Sequence, residues 1–327
     1  MASAEFPVVA LVGAGTIGRS WAVVFARAGI ATRVFDSESS VRASLRAGLE
    51  ELLARGEQAG SLSPEECATI RSAVRTCESL EEAVEGVRYV QESVPEDLEA
   101  KRSVFAALDA LTPPDAILGS SASTFPMTQI AATTRRPERC VVVHPTNPPH
   151  LVPLVEIAAG ERTDPEVVDA AHAFMEALGQ SPIRVRKERF GFVLNRLQFA
   201  LAREAFWLAK EGVASIADID RCLTDGLGLR WAFLGPFGVE ATNAASVEDD
   251  LTKFGNGIRA LFADVCRPYD GPGEDEIASV SKGVAEMFAG AAHSDVVAYR
   301  DEMVAALRRL KEQRQFPVSS ARSGGRA

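Results

Sequence analysis

At 327 residues, with 46% hydrophobic and 24% charged residues, the chain has the composition of a globular protein and is long enough for two domains. A formal net charge of −10 argues against a nucleic-acid partner, because little would neutralise a phosphate backbone. Five scattered cysteines without C-x-x-C or metal-ligand spacing, no basic leader, and no apolar run of membrane-spanning length give the expectation of a cytoplasmic protein with no metal and no membrane contact.

Val8 to Val12 is an apolar run of strand length, followed by the glycine turn GAGTIG (Gly13 to Gly18). RSWAVVFARAG then carries apolar residues at helical spacing and stops at Gly29, and ATRVFD forms a second strand ending on Asp36. This is a strand–turn–helix–strand unit of βαβ length. Ser39 to Arg75 reads as two helices, the second capped at Ser63 ahead of Pro64, with Glu65 and Glu66 in its first turn. Short strands are expected at Tyr89–Glu92, Ile117–Ser120 and Val141–His144, then at LVEI and Ile183–Val185, with helices between the earlier ones.

Beyond Arg186 the pattern becomes helical, punctuated at Gly212, Gly226–Gly228, Gly235–Pro236 and Pro268–Pro272. The expected fold class is α/β: a Rossmann-type, doubly wound, mostly parallel sheet over residues 1–187, then an all-helical domain over 188–316. The small, polar, basic tail over 317–327 is expected to be disordered.

A lone G-x-G-x-x-G is a weak signal, but here it follows a strand, opens a helix and precedes an acid about 20 residues on. Gly13 permits the tight turn, Gly15 the approach of a pyrophosphate, and Gly18 close packing of helix on strand. With Thr16 and Ile17 they form the candidate cofactor turn at a helix N-terminus. Asp36 suits the ribose hydroxyls of NAD and would repel a 2′-phosphate, and neighbouring Ser37 and Glu38 supply no arginine to offset it. FAD, or a glycine turn without a ligand, is the lesser alternative.

The stretch VVVHPTNPPHLVPLVEI, Val141 to Ile157, ends one apolar strand on His144 and places Glu156 inside another. Alcohol oxidation needs a base for the hydroxyl proton, and histidine is suited to that work near neutral pH. The histidine alone reads more readily as a structural residue. A glutamate among leucines and valines is harder to dismiss, because a buried carboxylate requires a partner.

These features resemble the 3-hydroxyacyl-CoA dehydrogenase superfamily, through GAGTIG, VQESVPEDLEAK, SSAST, HPTNPP…LVEI and GFVLNR, covering most of the chain. The resemblance implies a His–Glu catalytic pair at a twelve-position spacing, matched by His144 and Glu156, with catalytic Ser123 and Asn195 also placed to bind substrate. It implies cofactor contacts from Glu96, Lys101, Ser123 and Asn147 as well, and a homodimer formed through the helical domain. The rival β-hydroxyacid dehydrogenases carry a lysine where this chain has asparagine, and fit less well.

Two departures from the acyl-CoA enzymes bear on substrate. LEELLARGEQAGSLSPEE is acidic and lacks the lysines that meet CoA phosphates, and the loop after His144 has proline where relatives often carry lysine. QESVPEDLE, HPTNPP, GFVLNRLQ and GLGLRWAFLGP are closer to the lambda-crystallin branch, which contains L-gulonate 3-dehydrogenase. That resemblance implies a small anionic L-3-hydroxy acid as substrate. Arg230 is the candidate for its carboxylate, from its own subunit or a partner's, with structural packing beside Trp231 weighed equally. A short-chain 3-hydroxyacyl-CoA, 3-hydroxypropionate and carnitine remain alternative substrates, and a non-enzymatic, crystallin-like role is the alternative of another class. His150, His172 and His293 read as unremarkable loop or surface residues, and Trp21, Trp207 and Phe206 as core.

Overall fold

The computed structural model describes residues 6–243, 247–269 and 271–313. The chain divides into two compact units, one comprising residues to Arg196 with Arg300–Arg309, the other Leu197–Tyr299 with the chain from Leu310. The tail expected to be disordered lies outside the described residues, as do residues 314–316 of the expected helical domain.

The first unit is built on an eight-stranded sheet: β1 (Val8–Val12), β2 (Ala31–Phe35), β3 (Val74–Thr76), β4 (Tyr89–Glu92), β5 (Ile117–Ser120), β6 (Cys140–Pro145), β7 (Leu154–Ala159) and β8 (Ser181–Val185). The spatial order is β3-β2-β1-β4-β5-β6-β7-β8. Every neighbouring pair is parallel except β6 with β7.

Alternation of side chains along each strand splits the core between the two faces. Val9 and Leu11 of β1 pack with Trp21, Phe25, Tyr89 and Phe174. Ala10 and Val12 turn the other way, toward Val90, Phe105 and Leu118. A third cluster joins the helix Thr16–Arg27 to the helices Ser39–Gln58 and Pro64–Ala73 through Val23, Leu49, Leu53 and Ile70.

The second of the expected early helices has its cap where the sequence places it. The Ser63 hydroxyl accepts from the Glu66 N–H at 3.1 Å, and the Glu66 carboxylate accepts from the Ser63 N–H at 2.7 Å. The helix ends sooner than expected, however. Val74–Thr76, read from sequence as helical through Arg75, is an edge strand paired with β2. Three residues are too few to show a period, and β-branched Val74 and Thr76 favour the extended state.

Among the described residues the second unit is helical, with the helix Leu194–Lys210 from Leu197 onward, helices at Ile216–Arg221, Pro236–Asn243, Val247–Val265 and Glu274–Met287, and the start of His293–Gln313. The expected break at Gly226–Gly228 is not one. A π-helical turn, Cys222–Leu227, runs directly into the helix Gly228–Trp231. A Cβ at Gly228 would stand 2.6 Å from the Leu223 carbonyl oxygen, so glycine here permits the wide turn to continue. Arg203 donates to the Val265 and Tyr269 carbonyls, and Arg267 pairs with Glu204 at 2.8 Å while lying over the Trp207 ring. Trp207 is thus half-buried under a cation, whereas Trp21 is fully buried. No helix among the described residues is long and apolar enough to cross a membrane.

Candidate active site

The glycine turn lies between β1 and the helix Thr16–Arg27, beside the carboxyl end of β4. Gly13 has φ +103°, and a Cβ there would stand 2.5 Å from the Ser93 carbonyl group. A Cβ at Gly18 would lie 1.9 Å from the Gly13 oxygen. At Gly15 nothing lies within 4 Å of the Cβ position, so that face of the turn is open to a ligand. The helix starts there without a side-chain cap. Asp36, at the end of β2, is held by N–H groups of Ala14 at 2.8 Å and Glu38 at 3.0 Å. A tight turn, an open face, an uncapped helix start and an acid at the second strand fit a dinucleotide.

One contributor was not visible in sequence. Arg42 reaches back from the helix Ser39–Gln58 to donate to the carbonyls of Asp36 at 2.7 Å and Ser37 at 3.1 Å. It also faces the Phe35 ring and pairs with Glu78. The end of β2 therefore does have an arginine beside it, brought by helix geometry and already engaged. The acidic stretch following it is likewise paired: Glu50 meets Arg46 and Arg71, and Glu51 meets Arg55.

His144 and Glu156 stand directly opposite each other on antiparallel β6 and β7. His144 Nδ1 lies 2.8 Å from Glu156 Oε2, and both side chains are buried. The other carboxylate oxygen accepts from the N–H groups of Val193 at 2.9 Å and Leu194 at 3.0 Å, where the helix Leu194–Lys210 begins. Burial alone would raise the Glu156 carboxyl, but the His144 hydrogen bond and the two backbone donors outweigh it and hold it below its usual range. An ionised carboxylate only accepts, so Nδ1 of His144 carries a proton, and in the neutral imidazole the lone pair is on Nε2.

Phe192, in the left-handed region at φ +48°, packs its ring 5.6 Å from the imidazole. The turn it occupies carries Asn195 to Ser123, whose carbonyl accepts from the Asn195 amide at 2.9 Å. The N–H groups of Ser123 and Thr124 and the Thr124 hydroxyl all donate to Glu96 Oε1. Glu96 is drawn up by burial but more strongly down by the Lys101 ammonium and these donors, and is held below its usual range. The Lys101 ammonium is itself buried, with Glu92 at 3.0 Å, the Val94 carbonyl at 3.3 Å and Glu96 at 3.4 Å around it.

Glu92, fully buried at the end of β4, is a member of this network that sequence reasoning did not single out; its other oxygen accepts from the Ser120 hydroxyl at 2.5 Å. With Gln91 before it and Ser93 after it, Glu92 lacks the apolar neighbours that mark a buried acid. Asn147 is exposed on the loop after β6, which ends with the Thr146 N–H donating to the Leu154 carbonyl. Arg230, in the second unit, is exposed, and its guanidinium makes no hydrogen bond or ion pair with a described residue.

His150 is more than a loop residue: it is half-buried and its Nδ1 lies 2.8 Å from the Ser20 hydroxyl. Cys67, Cys77 and Cys140 are buried and unbridged, as small apolar residues would be.

The 3-hydroxyacyl-CoA dehydrogenase NAD-binding domain matches residues 8–189, and the C-terminal domain of the same family matches 191–246. The chain belongs to the 3-hydroxyacyl-CoA dehydrogenase family. It is an NAD-dependent oxidoreductase that acts on CH–OH groups, as its relatives do. Lambda-crystallin of Oryctolagus cuniculus is 40% identical over 266 residues, 80% of this chain and 82% of that protein. An L-carnitine dehydrogenase of Nocardiopsis dassonvillei is 35% identical over 98% of this chain and 96% of its own length. Among solved structures, an NAD+-dependent 5-formyl-3-hydroxy-2-methylpyridine 4-carboxylic acid 5-dehydrogenase superposes with a TM-score of 0.79. It is 28% identical and covers 95% of this chain and 100% of its own.

Proposed function

We propose that the protein oxidises the 3-hydroxyl of a small L-3-hydroxy acid, of the kind handled by L-gulonate 3-dehydrogenase. The observation that carries this reading is the buried His144–Glu156 pair, which leaves a basic imidazole nitrogen for a substrate hydroxyl. His144 Nε2 takes the hydroxyl proton, and Glu156 stabilises the imidazolium that results. Ser123 and Asn195 hold the reacting oxygen, Asn195 being anchored through the Ser123 carbonyl. The dinucleotide held at the glycine turn would supply the acceptor for the hydride leaving C3 of the substrate.

Gly13, Gly15, Thr16, Ile17, Gly18 and Asp36 hold the dinucleotide, with Asn147 contributing from the loop after β6. Glu96 and Lys101 serve the cofactor side, Glu96 also holding the N–H groups of Ser123 and Thr124. Residues 188–316 form the substrate and dimerisation domain. Exposed Leu229, Phe233, Phe237 and Phe262 support a homodimer formed through it, because apolar groups at this density favour burial. Arg230, exposed and free of described partners, is the cation for the substrate carboxylate.

A second reading, L-carnitine as substrate, is favoured by the match to L-carnitine dehydrogenase along nearly the whole chain. Turnover separates the two. L-gulonate, 3-hydroxypropionate, 3-hydroxybutyrate, L-carnitine and acetoacetyl-CoA are assayed with the appropriate nicotinamide form by NADH absorbance. Highest kcat/KM on L-gulonate, 3-hydroxypropionate or 3-hydroxybutyrate supports the proposal, whereas preference for L-carnitine, with its quaternary ammonium, or for the thioester overturns it. Sedimentation of the purified protein tests the dimer.

A further inference from the structure

A buried chain of hydrogen bonds has a direction that can be worked out from its members. The Gln91 amide lies 3.1 Å from the Val143 carbonyl oxygen, and a carbonyl can only accept, so the atom facing it is Nε2. The Gln91 oxygen therefore faces Tyr89, whose hydroxyl donates to it at 2.7 Å. The second Nε2 proton goes to the Ser121 hydroxyl oxygen at 2.8 Å, and the Trp21 indole, a donor only, gives its proton to the same oxygen at 3.1 Å. With both acceptor positions of Ser121 taken, its own proton must go to Ser93 Oγ, 2.9 Å away.

Ser93 is thus made an acceptor from the core side, and its own proton is released in another direction. No described residue takes that proton. Ser93 is half-buried at the end of β4, and its main chain is the surface against which Gly13 closes. Its Cβ stands 3.9 Å from the Cβ position of Gly18. The hydroxyl therefore belongs to the wall of the glycine turn.

We infer that Ser93 is a cofactor-binding residue, its hydroxyl oriented by the Tyr89–Gln91–Ser121–Trp21 network to donate to an acceptor oxygen of the dinucleotide. Its position against the glycine turn places that oxygen in the diphosphate–ribose portion, common to NAD+ and ADP-ribose. Preorientation matters because a hydroxyl free to rotate would spend part of its time donating elsewhere.

The test is calorimetric binding of NAD+ and ADP-ribose to the full-length chain, with thermal unfolding recorded beside it. Ser93→Ala should raise Kd for both ligands about threefold to tenfold, the worth of one hydrogen bond, with little change in Tm. Ser93→Cys, similar in shape but a poor donor, should show the same loss and covers the case in which alanine disturbs the turn. Ser121→Ala removes the group that orients the Ser93 hydroxyl and strands the Trp21 and Gln91 donors, so it should lower Tm and also weaken both ligands, by less than Ser93→Ala does. Full affinity in this variant overturns the orienting role of the network. Unchanged affinity in the Ser93 variants overturns the inference. So does a loss seen with NAD+ but not ADP-ribose, which would put the acceptor on the nicotinamide amide.

Discussion

His144 on β6 and Glu156 on β7 are cross-strand partners, joined at 2.8 Å, and the same carboxylate holds the start of the helix Leu194–Lys210 through two backbone N–H groups. One buried acid thereby orients the imidazole and holds the turn that brings Asn195 to Ser123. Removing either function of Glu156 should disturb the other, whereas removing His144 should not.

Replacing His144 with alanine is expected to lower kcat by about 10²–10⁴-fold, the usual worth of a positioned general base. NAD+ affinity, measured calorimetrically, should stay within about twofold, because the imidazole lies outside the glycine turn. Retained turnover would remove His144 from the mechanism.

Glu156→Gln should lose about 10²-fold or more in kcat and also lower Tm, since an amide cannot serve both the imidazole and the helix start as well. The folded carboxyl is held below its unfolded value, so its contribution is fully present above the unfolded value and lost as pH falls through the folded one. The wild-type protein should accordingly lose stability on acidification below about pH 4.5. A Tm–pH profile should be flatter there in the variant.

His150 has the opposite chemistry. Burial pulls its imidazole down to about 4, with Arg55, Arg300 and Arg27 adding to the effect and Asp301 opposing it. The unfolded chain therefore binds a proton that the folded chain refuses between about pH 6.5 and pH 4, and stability falls as pH drops through that window. The loss amounts to up to about 3 kcal/mol. His150→Gln, which still reaches Ser20, should flatten the Tm–pH curve in that interval; an unchanged slope would put the acid sensitivity elsewhere.

Arg230→Ala should raise KM for free hydroxy acids roughly tenfold to hundredfold, in keeping with the loss of charged hydrogen bonds, and leave NAD+ affinity unchanged. An unaltered KM would return Arg230 to the surface residues.

Asp36→Asn keeps the shape and removes the charge. It should weaken NAD+ and narrow the preference over NADP+ by about tenfold in kcat/KM, the more readily because Arg42 lies beside the end of β2. Comparing the two cofactors in steady-state kinetics checks this.

Much of the fold was legible because its signals are local. Apolar runs of strand length, a glycine turn and the Ser63–Pro64 cap depend on neighbours in the chain, and each appears where periodicity and capping chemistry place it. Val74–Thr76 failed as a reading because an edge strand that short takes its state from β2, a partner distant in sequence. Gly226–Gly228 failed because glycine marks a break only when nothing packs against it, and Gly228 packs on Leu223. The twelve-position spacing of His144 and Glu156 could be seen, but not that it is a cross-strand register.

By itself, then, the sequence determined the α/β architecture and the glycine turn, since each rests on residue type at short spacing, and it marked His144 and Glu156 as a candidate pair through the family resemblance. Tertiary structure alone decided how the polar groups are joined: the second grip of Glu156 on Val193 and Leu194, the burial of Lys101 between Glu92 and Glu96, and the direction of the hydrogen bonds ending on Ser93. The physical reason is that hydrogen bonding is settled by which donors and acceptors meet out of water. That meeting depends on strand order and register across the whole sheet, and no local stretch of chain contains it.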